Sequence, residues 1–550
     1  MQIHDFLHHL HFDIDKVSPP DVEVDWEDAP LSFKLYQGRP TVALWPDRTP
    51  DETPVRPADG QRVTLRRVGG FLRDSYGITQ LCHAVFPAAG DTDAPHSIAQ
   101  MFRRFVPSGG GLYPSELYAY LKIDEVKAGV YHYDAAHHRL VYLREGNYDG
   151  YLERAFGQPC SLSTSFGVLF VSTMFWKNFF KYHNFSYRLQ GLDAGALIGQ
   201  LLAAAEPFGF QARVLYQFLD DAIHHLLGLD GQEESVYAAV VLTTDGHAIG
   251  AAGSGQHGGL EAVSAQALCK ELPEVKYKHY QRSKHIVPYP TLLAVNEASK
   301  LHTTKDLLQV ALHRHDDAPN GVGTRQRRSE RSERPDAGGV KLPAARLVPR
   351  DFAATCRNRY SPGPDFVLGK VDSTALSTLL WEALGCAAAQ LSEMAPGRPH
   401  DLPRVSVAFC AHGVDGIRDG AYRYHPETHS VTLVRPGDHR LRLQQGMPIP
   451  TVNLFQVPLC FHLVGSLEDV LAAYGTRGYR MLQMEVGVVL QRLLLSAAAL
   501  GMNGHPLLGY DERVCDDTYH LSSHEETCLI QVPVGFYRKT ARFEGTLQVW

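Results

Sequence analysis

Tyr187–Phe210 reads YRLQGLDAGALIGQLLAAAEPFGF. Its small and apolar residues fall on nearly every face of a helix, which predicts a buried central helix. Tyr479–Met502, YRMLQMEVGVVLQRLLLSAAALGM, aligns with it without a gap at an offset of 292 (187 to 479). Both open with Tyr-Arg, share a central glycine (Gly195, Gly487) and end in glycine (Gly209, Gly501). A second match lies upstream. Gly129–Tyr148, GVYHYDAAHHRLVYLREGNY, pairs with Gly420–His439, GAYRYHPETHSVTLVRPGDH, at an offset of 291 (129 to 420). Each reads as strand, turn, strand. Two matches at nearly one offset predict a duplication: an α+β unit of about 200 residues used twice.

Composition narrows the class. The chain has 550 residues, 44% hydrophobic and 21% charged, an ordinary globular balance. That excludes a disordered, collagen-like or disulfide-scaffold protein. The net charge of −7 leaves no chain-wide basic footprint for nucleic acid or an anionic membrane. Nine cysteines form no CxxC pair, so reduced thiols in a cytoplasmic protein are expected, not a zinc knuckle. The opening MQIHDFLHHLHFDIDK has no basic region followed by an apolar run, and predicts no secretory signal. Met484–Met502 is the most apolar long stretch, but Glu485, Gln491 and Arg492 mark it as a buried helix and not a membrane span. The 28 histidines form no HExxH, and no metal site is expected. Gly253–Gly258 fits GxGxxG formally, yet no helix pattern opens there.

Arg314–Gly339 is polar and nearly empty of large apolar residues, which predicts a linker. Its arginine run is interrupted by Glu330 and Glu333, the pattern of a solvated mixed-charge segment. The expected organisation is an N-terminal arm (1–60), a first unit (61–290), a linker (291–345) and a second unit (346–550).

Two elements carry chemistry. Val106–Tyr118, VPSGGGLYPSELY, sets Ser108, Gly109, Gly110, Gly111 and Leu112 ahead of a strand pattern. Glycines let backbone approach a ligand closely and turn N–H groups toward it, although a plain turn also explains such a run. Lys181-Tyr182 stands just before the first central helix. A lysine lowered in pKa by desolvation can take a proton; the competing reading is a surface lysine beside a core-facing tyrosine.

The sequence PSGGGLYPSELY, then GVYHYD, then FWKNFFKYHNFSYRLQGLDAGALIGQLLAAAEPFGF, then FLDDAIHHLLGLDG resembles the nitroreductase-like flavin dehydrogenases of the SagB/ThcOx type. These are azoline oxidases of ribosomal peptide biosynthesis. The resemblance spans 62–242 and, more faintly, 357–536. It implies an α+β fold, FMN as cofactor, and a flavin held between two subunits, here two copies of one chain. It implies Lys181 and Tyr182 as the catalytic pair; the aligned pair in the second copy is Ala473-Tyr474, without the lysine. It implies that the glycine loop of one copy meets an Arg-x-Ser element and a later glycine of the other. The second copy has APGRPHDLP in place of a glycine loop, but carries RNRYSPGPDF, with Arg357, Arg359 and Ser361, and HPLLGYDE, with Gly509. The first copy has Gln217 at the latter position. The losses are complementary, so one composite FMN site per chain is expected. The implied activity is oxidation of thiazoline- or oxazoline-type rings to azoles, with flavin reoxidation by dioxygen. Implied partners are a precursor peptide and a cyclodehydratase, the protein acting as a monomeric pseudo-dimer or as a homodimer. Two other readings stay open: an NAD(P)H-dependent reductase of small nitro or enone compounds, and a non-catalytic peptide-binding subunit.

Overall fold

A computed structural model of the chain describes residues 2–18, 23–45, 62–86, 97–157, 161–244, 262–307, 339–346, 351–385, 404–521, 525–539 and 544–545. The GxGxxG-like stretch, the core of the Arg314–Gly339 segment and APGRPHDLP lie outside the described residues.

Two antiparallel sheets repeat one order. The first runs Thr41–Ala43, Arg139–Glu145, Gly129–Asp134, Ser115–Leu121, Gly167–Met174, Glu234–Thr243, Gln211–Leu215. The second runs Val340–Lys341, Ser430–Pro436, Gly420–His425, Ser406–Ala411, Leu459–Gly465, Thr527–Tyr537, with Asn503–Gly504 on the last strand. Strand for strand the two correspond, and both hairpins read from the sequence are present. Phe366–Val367 adds a further strand to the second sheet alone.

The sheets are covered on both faces, so their middle strands alternate between two cores and not between core and water. In Ser115–Leu121, Leu117, Ala119 and Leu121 join the cluster that contains Ala194, Leu197 and Leu201 of the first central helix. Tyr118 and Tyr120 point the other way, into a cluster with Leu152, Phe218 and Leu226.

The central helices are Ser186–Ala205 and Thr476–Ala499. They run side by side in register. A Cβ added to Gly191 would meet Gln483 Cβ at 2.6 Å, one on Gly195 would meet the Met484 carbonyl at 2.1 Å, and one on Gly199 would meet Gln491 Cβ at 2.9 Å. From the other side, a Cβ on Gly487 would lie 2.7 Å from the Gly195 Cα. This glycine ridge lets two backbones touch, and explains why both copies keep the central glycine. The shared Tyr-Arg opening has its own explanation. Arg188 reaches across to Glu512 (2.7 Å), and its equivalent Arg480 reaches back to Asp220 (3.1 Å). Arg477 also pairs with Asp220, at 2.7 Å. Each is a buried cross-copy ion pair, worth little against an apolar pair yet costly to break. The two copies therefore share one interior: Met481, Met484, Val488 and Leu495 pack in the first copy's core. The second central helix has the length and apolarity of a membrane span, but 94% of its apolar window is buried in this body.

The stretch expected as linker, 291–345, begins inside a helix. Pro290–Ala298 buries Leu292 and Val295 beside Phe175 and Tyr479, and Leu301 bridges to Leu219. Val340–Lys341 is the outermost strand of the second sheet. Leu292 and Val295 supply an apolar stripe that composition averaged over the whole stretch conceals. At the far end, Glu544–Gly545 of the second copy pairs with Leu81–Cys82 of the first.

Candidate functional site

Gly109–Gly111 forms a single tight turn ahead of the strand Ser115–Leu121. Gly110 (φ 63°) and Gly111 (φ 70°) are both left-handed, a conformation glycine adopts without steric cost. Gly110 has a second constraint. A Cβ there would stand 2.6 Å from the Tyr182 hydroxyl and 3.2 Å from Lys181 Nζ. The glycine loop and the Lys-Tyr pair, 70 residues apart in sequence, are thus in contact.

Ser108 serves the loop itself. Its hydroxyl donates to Asp193 Oδ2 (2.6 Å) and accepts from the Tyr113 amide (2.9 Å). Asp193 Oδ1 also accepts from the Gly109 amide (3.1 Å). Leu112 closes the turn, its amide reaching the Gly109 carbonyl at 3.4 Å. Asp193 is a site residue that sequence reading missed. Desolvation raises its carboxyl to about 7, opposed by the Ser108 and Gly109 hydrogen bonds. Its available signal was position: it is the acidic residue inside an apolar helix, and Glu485 stands at the equivalent place.

Lys181 and Tyr182 end the helix Trp176–Tyr182. Lys181 Nζ lies 4.9 Å from the Tyr182 ring centroid and 5.2 Å from that of Trp26. It has no ion pair or hydrogen bond among the described residues. Desolvation lowers its pKa. Desolvation pushes the Tyr182 phenol up to about 12, with the Asp193 charge adding to the effect. Desolvation thus disfavours the charged form of the amine and of the phenol alike. His183 then turns the chain into the central helix at φ 47°, ψ −138°.

The second copy contributes from its own start. Arg357 lies in the last turn of the helix Phe352–Asn358, and Arg359 follows that helix. Arg359 Nε donates to the Phe105 carbonyl (2.8 Å), three residues before Ser108, while its Nη1 is buried without a hydrogen-bond partner among the described residues. Burial lowers the pKa of this guanidinium. Tyr360 is held by Asn503 Oδ1 (2.9 Å) and lies under Arg103 (5.3 Å to the centroid). Ser361 is half-buried, and the next carbonyl, Pro362, accepts from His505 Nδ1 (2.6 Å). Gly509 is exposed, with nothing within 4 Å of an added Cβ. Its neighbour Leu508 packs on the cluster that Tyr182 also joins.

These residues suit a flavin mononucleotide. Arg359 offers a fixed cation with an N–H unused among the described residues, the kind of group that a phosphate needs. At Gly111 the left-handed glycine loop has nothing within 4 Å of an added Cβ among the described residues, so its backbone is open to close approach by a ligand. Among the described residues no group of three or more His, Cys, Asp or Glu is placed to hold a metal ion.

In the other half, the described counterparts of Asp193 and Tyr182 are both engaged by an arginine. Arg404 makes a bidentate pair with Glu485, through Nε (3.0 Å) and through Nη2, and its Nη1 donates to the Tyr474 hydroxyl (3.0 Å). The counterparts of Asp193 and Tyr182 are thus tied together around a guanidinium, with Ala473 where the lysine would be.

The model of the Nitroreductase family matches residues 78–246, within the first copy. The trifolitoxin-processing protein TfxB of Rhizobium leguminosarum bv. trifolii is 30% identical over 161 residues, covering 28% of this chain and 43% of that protein. The match therefore spans under half of that relative's length. A nitroreductase-like protein of Methanocaldococcus jannaschii is 27% identical over 164 residues, 29% of this chain and 78% of that protein. A crystal structure of a nitroreductase-like protein from Anabaena variabilis superposes with a TM-score of 0.69 at 18% identity. It covers 98% of this chain and 99% of that one, so the paired-copy fold is common to both.

Proposed function

Taking residues 78–246 as a nitroreductase-family domain, we propose that the chain is an FMN-dependent oxidoreductase that dehydrogenates azoline-type rings in a ribosomally made peptide. The observation that carries this reading is Lys181: a desolvated amine with no hydrogen-bond or ionic partner among the described residues, against the glycine loop. Similarity to a toxin-processing protein supports a peptide substrate.

FMN would be held by the backbone of Gly109–Gly111 and Leu112, by Arg357, Arg359 and Ser361, and by the chain at Gly509; it supplies a two-electron acceptor. Ser108 and Asp193 hold the loop that makes room for it. Converting an azoline to an azole breaks two ring C–H bonds and forms one C=C bond. FMN, when bound, would supply the acceptor for one hydrogen and its electron pair. The other would leave as a proton to the Lys181 amine in its unprotonated form, and the electrons of that C–H bond would become the new double bond. Tyr182, still protonated, can donate a hydrogen bond to the reacting group. The cyclodehydratase that makes azolines is the expected partner.

Lys181→Ala in the FMN-loaded protein tests the reading. Loss of azoline oxidation with FMN still bound is expected; unchanged turnover would refute the role of the lysine. A small-molecule reductase is the second reading, favoured by the Methanocaldococcus relative. Rapid bleaching of the flavin by NADPH, without azoline turnover, would select it.

A further inference from the structure

The N-terminal arm, which sequence reading left without a chemical role, brings an indole to the lysine. The arm is fixed at three places. Lys34, buried, donates to Glu234 Oε2 (2.6 Å) and Tyr118 Oη (3.2 Å). Tyr36 bridges to His279. Asp28 accepts the amides of Lys284 (2.7 Å) and His285 (2.8 Å). Between these anchors and the chain start, Asp25 Oδ1 accepts from the amides of Glu27 and Asp28, closing a turn around Trp26. Trp26 meets Phe180 edge-on at 5.5 Å and 87°, and Lys181 Nζ lies 5.2 Å from its centroid. Yet the indole is 53% exposed.

A large aromatic held on an anchored turn and left half in water has apolar surface still available for burial by a ligand. It is also a low-entropy surface for a flat ligand, since little freedom is lost when a ring lands on it. The segment tied to the arm also carries exposed Ile286 (41%) and Val287 (47%).

We propose that Trp26 is a specificity-determining residue, the wall against which the substrate's five-membered ring is held beside Lys181. This rests on the oxidase reading and deepens it. A planar ring gains contact with the indole that an acyclic cysteine or serine residue cannot match, so the protein selects cyclised over uncyclised peptide. Phe180 supports the indole from one side, leaving the exposed part for the ligand.

The test is calorimetric binding to the FMN-loaded protein of two probes: a short glycine-rich peptide bearing one thiazole, and the same peptide with cysteine in its place. Wild type is expected to favour the thiazole peptide. Trp26→Ala should weaken that peptide by at least about tenfold, with little change for the cysteine peptide, and Trp26→Phe should keep most of the preference. Flavin content and thermal midpoint, followed in parallel, should match wild type in both variants. Equal thiazole affinity in wild type and Trp26→Ala would overturn the inference, as would a wild type that binds neither peptide. Ring selection lost in Trp26→Ala, with no thiazoline oxidation by wild type, would instead keep the wall and remove the oxidase reading.

Discussion

Tyr187 and Tyr479, equivalent residues of the two copies, stack on one another with centroids 5.9 Å apart and rings inclined by 11°. The contact marks the pseudo-twofold axis of the molecule. Below it the central helices touch at Gly195 and Gly487. The site follows from this arrangement: the axis brings Arg359 of one copy to Phe105 of the other, beside the glycine loop.

Gly195→Ala should therefore be strongly destabilising. Its Cβ would stand 2.1 Å from a backbone oxygen, which cannot rotate away. A loss of about 3 kcal/mol is expected in urea titration. Gly150→Ala is the control: nothing lies within 4 Å of its Cβ, and a helical alanine should cost nothing.

His183→Gly should stabilise the protein by about 1 kcal/mol. His183 holds φ 47°, ψ −138°, and the equivalent residue in the second copy is Gly475 at φ 56°, ψ −152°. Glycine at 183 removes strain at the junction after Lys181-Tyr182. Thermal unfolding of the two proteins checks this; a midpoint that does not rise would contradict it.

Asp193 should make stability pH-dependent. Its carboxyl is raised to about 7, against an ordinary value of 3.8. The folded state then holds a proton that the unfolded state has released, so this group's contribution falls as pH rises from about 4 to about 7. Asp193→Asn does not titrate. The stability difference, variant minus wild type, should rise across that window by no more than about 1.4 kcal/mol per pH unit. A flat difference would show that the carboxyl titrates normally.

Arg359→Gln should weaken FMN binding by about 10- to 100-fold, the range for losing a charge-assisted hydrogen bond to an anion. Fluorescence titration of the deflavinated protein measures it. Unchanged affinity would move the phosphate away from Arg359.

Much of this was legible in the chain. Two matches at nearly one offset gave the duplicated α+β units, because the hydrophobic patterns of hairpin and central helix are local. The glycine loop and the Lys-Tyr pair were legible as motifs, and their contact through Gly110 joins them. Asp193, Trp26 and the Arg404–Glu485–Tyr474 network were not. Each acts through a partner 70 or more residues away, which spacing does not record. Glu485 looked like a lone acid in an apolar helix until Arg404 stood beside it. The helix at Pro290–Ala298 was hidden for a related reason: its two buried apolar residues, Leu292 and Val295, sit beside a polar stretch.

The central claim is that one flavin site is assembled from both copies and that the second place is closed by Arg404. The most direct measurement is the ratio of FMN to polypeptide after saturation and removal of free flavin. One FMN per chain in wild type, with weakened retention in Arg359→Gln, is the predicted result. Two FMN per chain would contradict the claim, since the Arg404-filled half would then bind as well, and none would remove the composite site altogether.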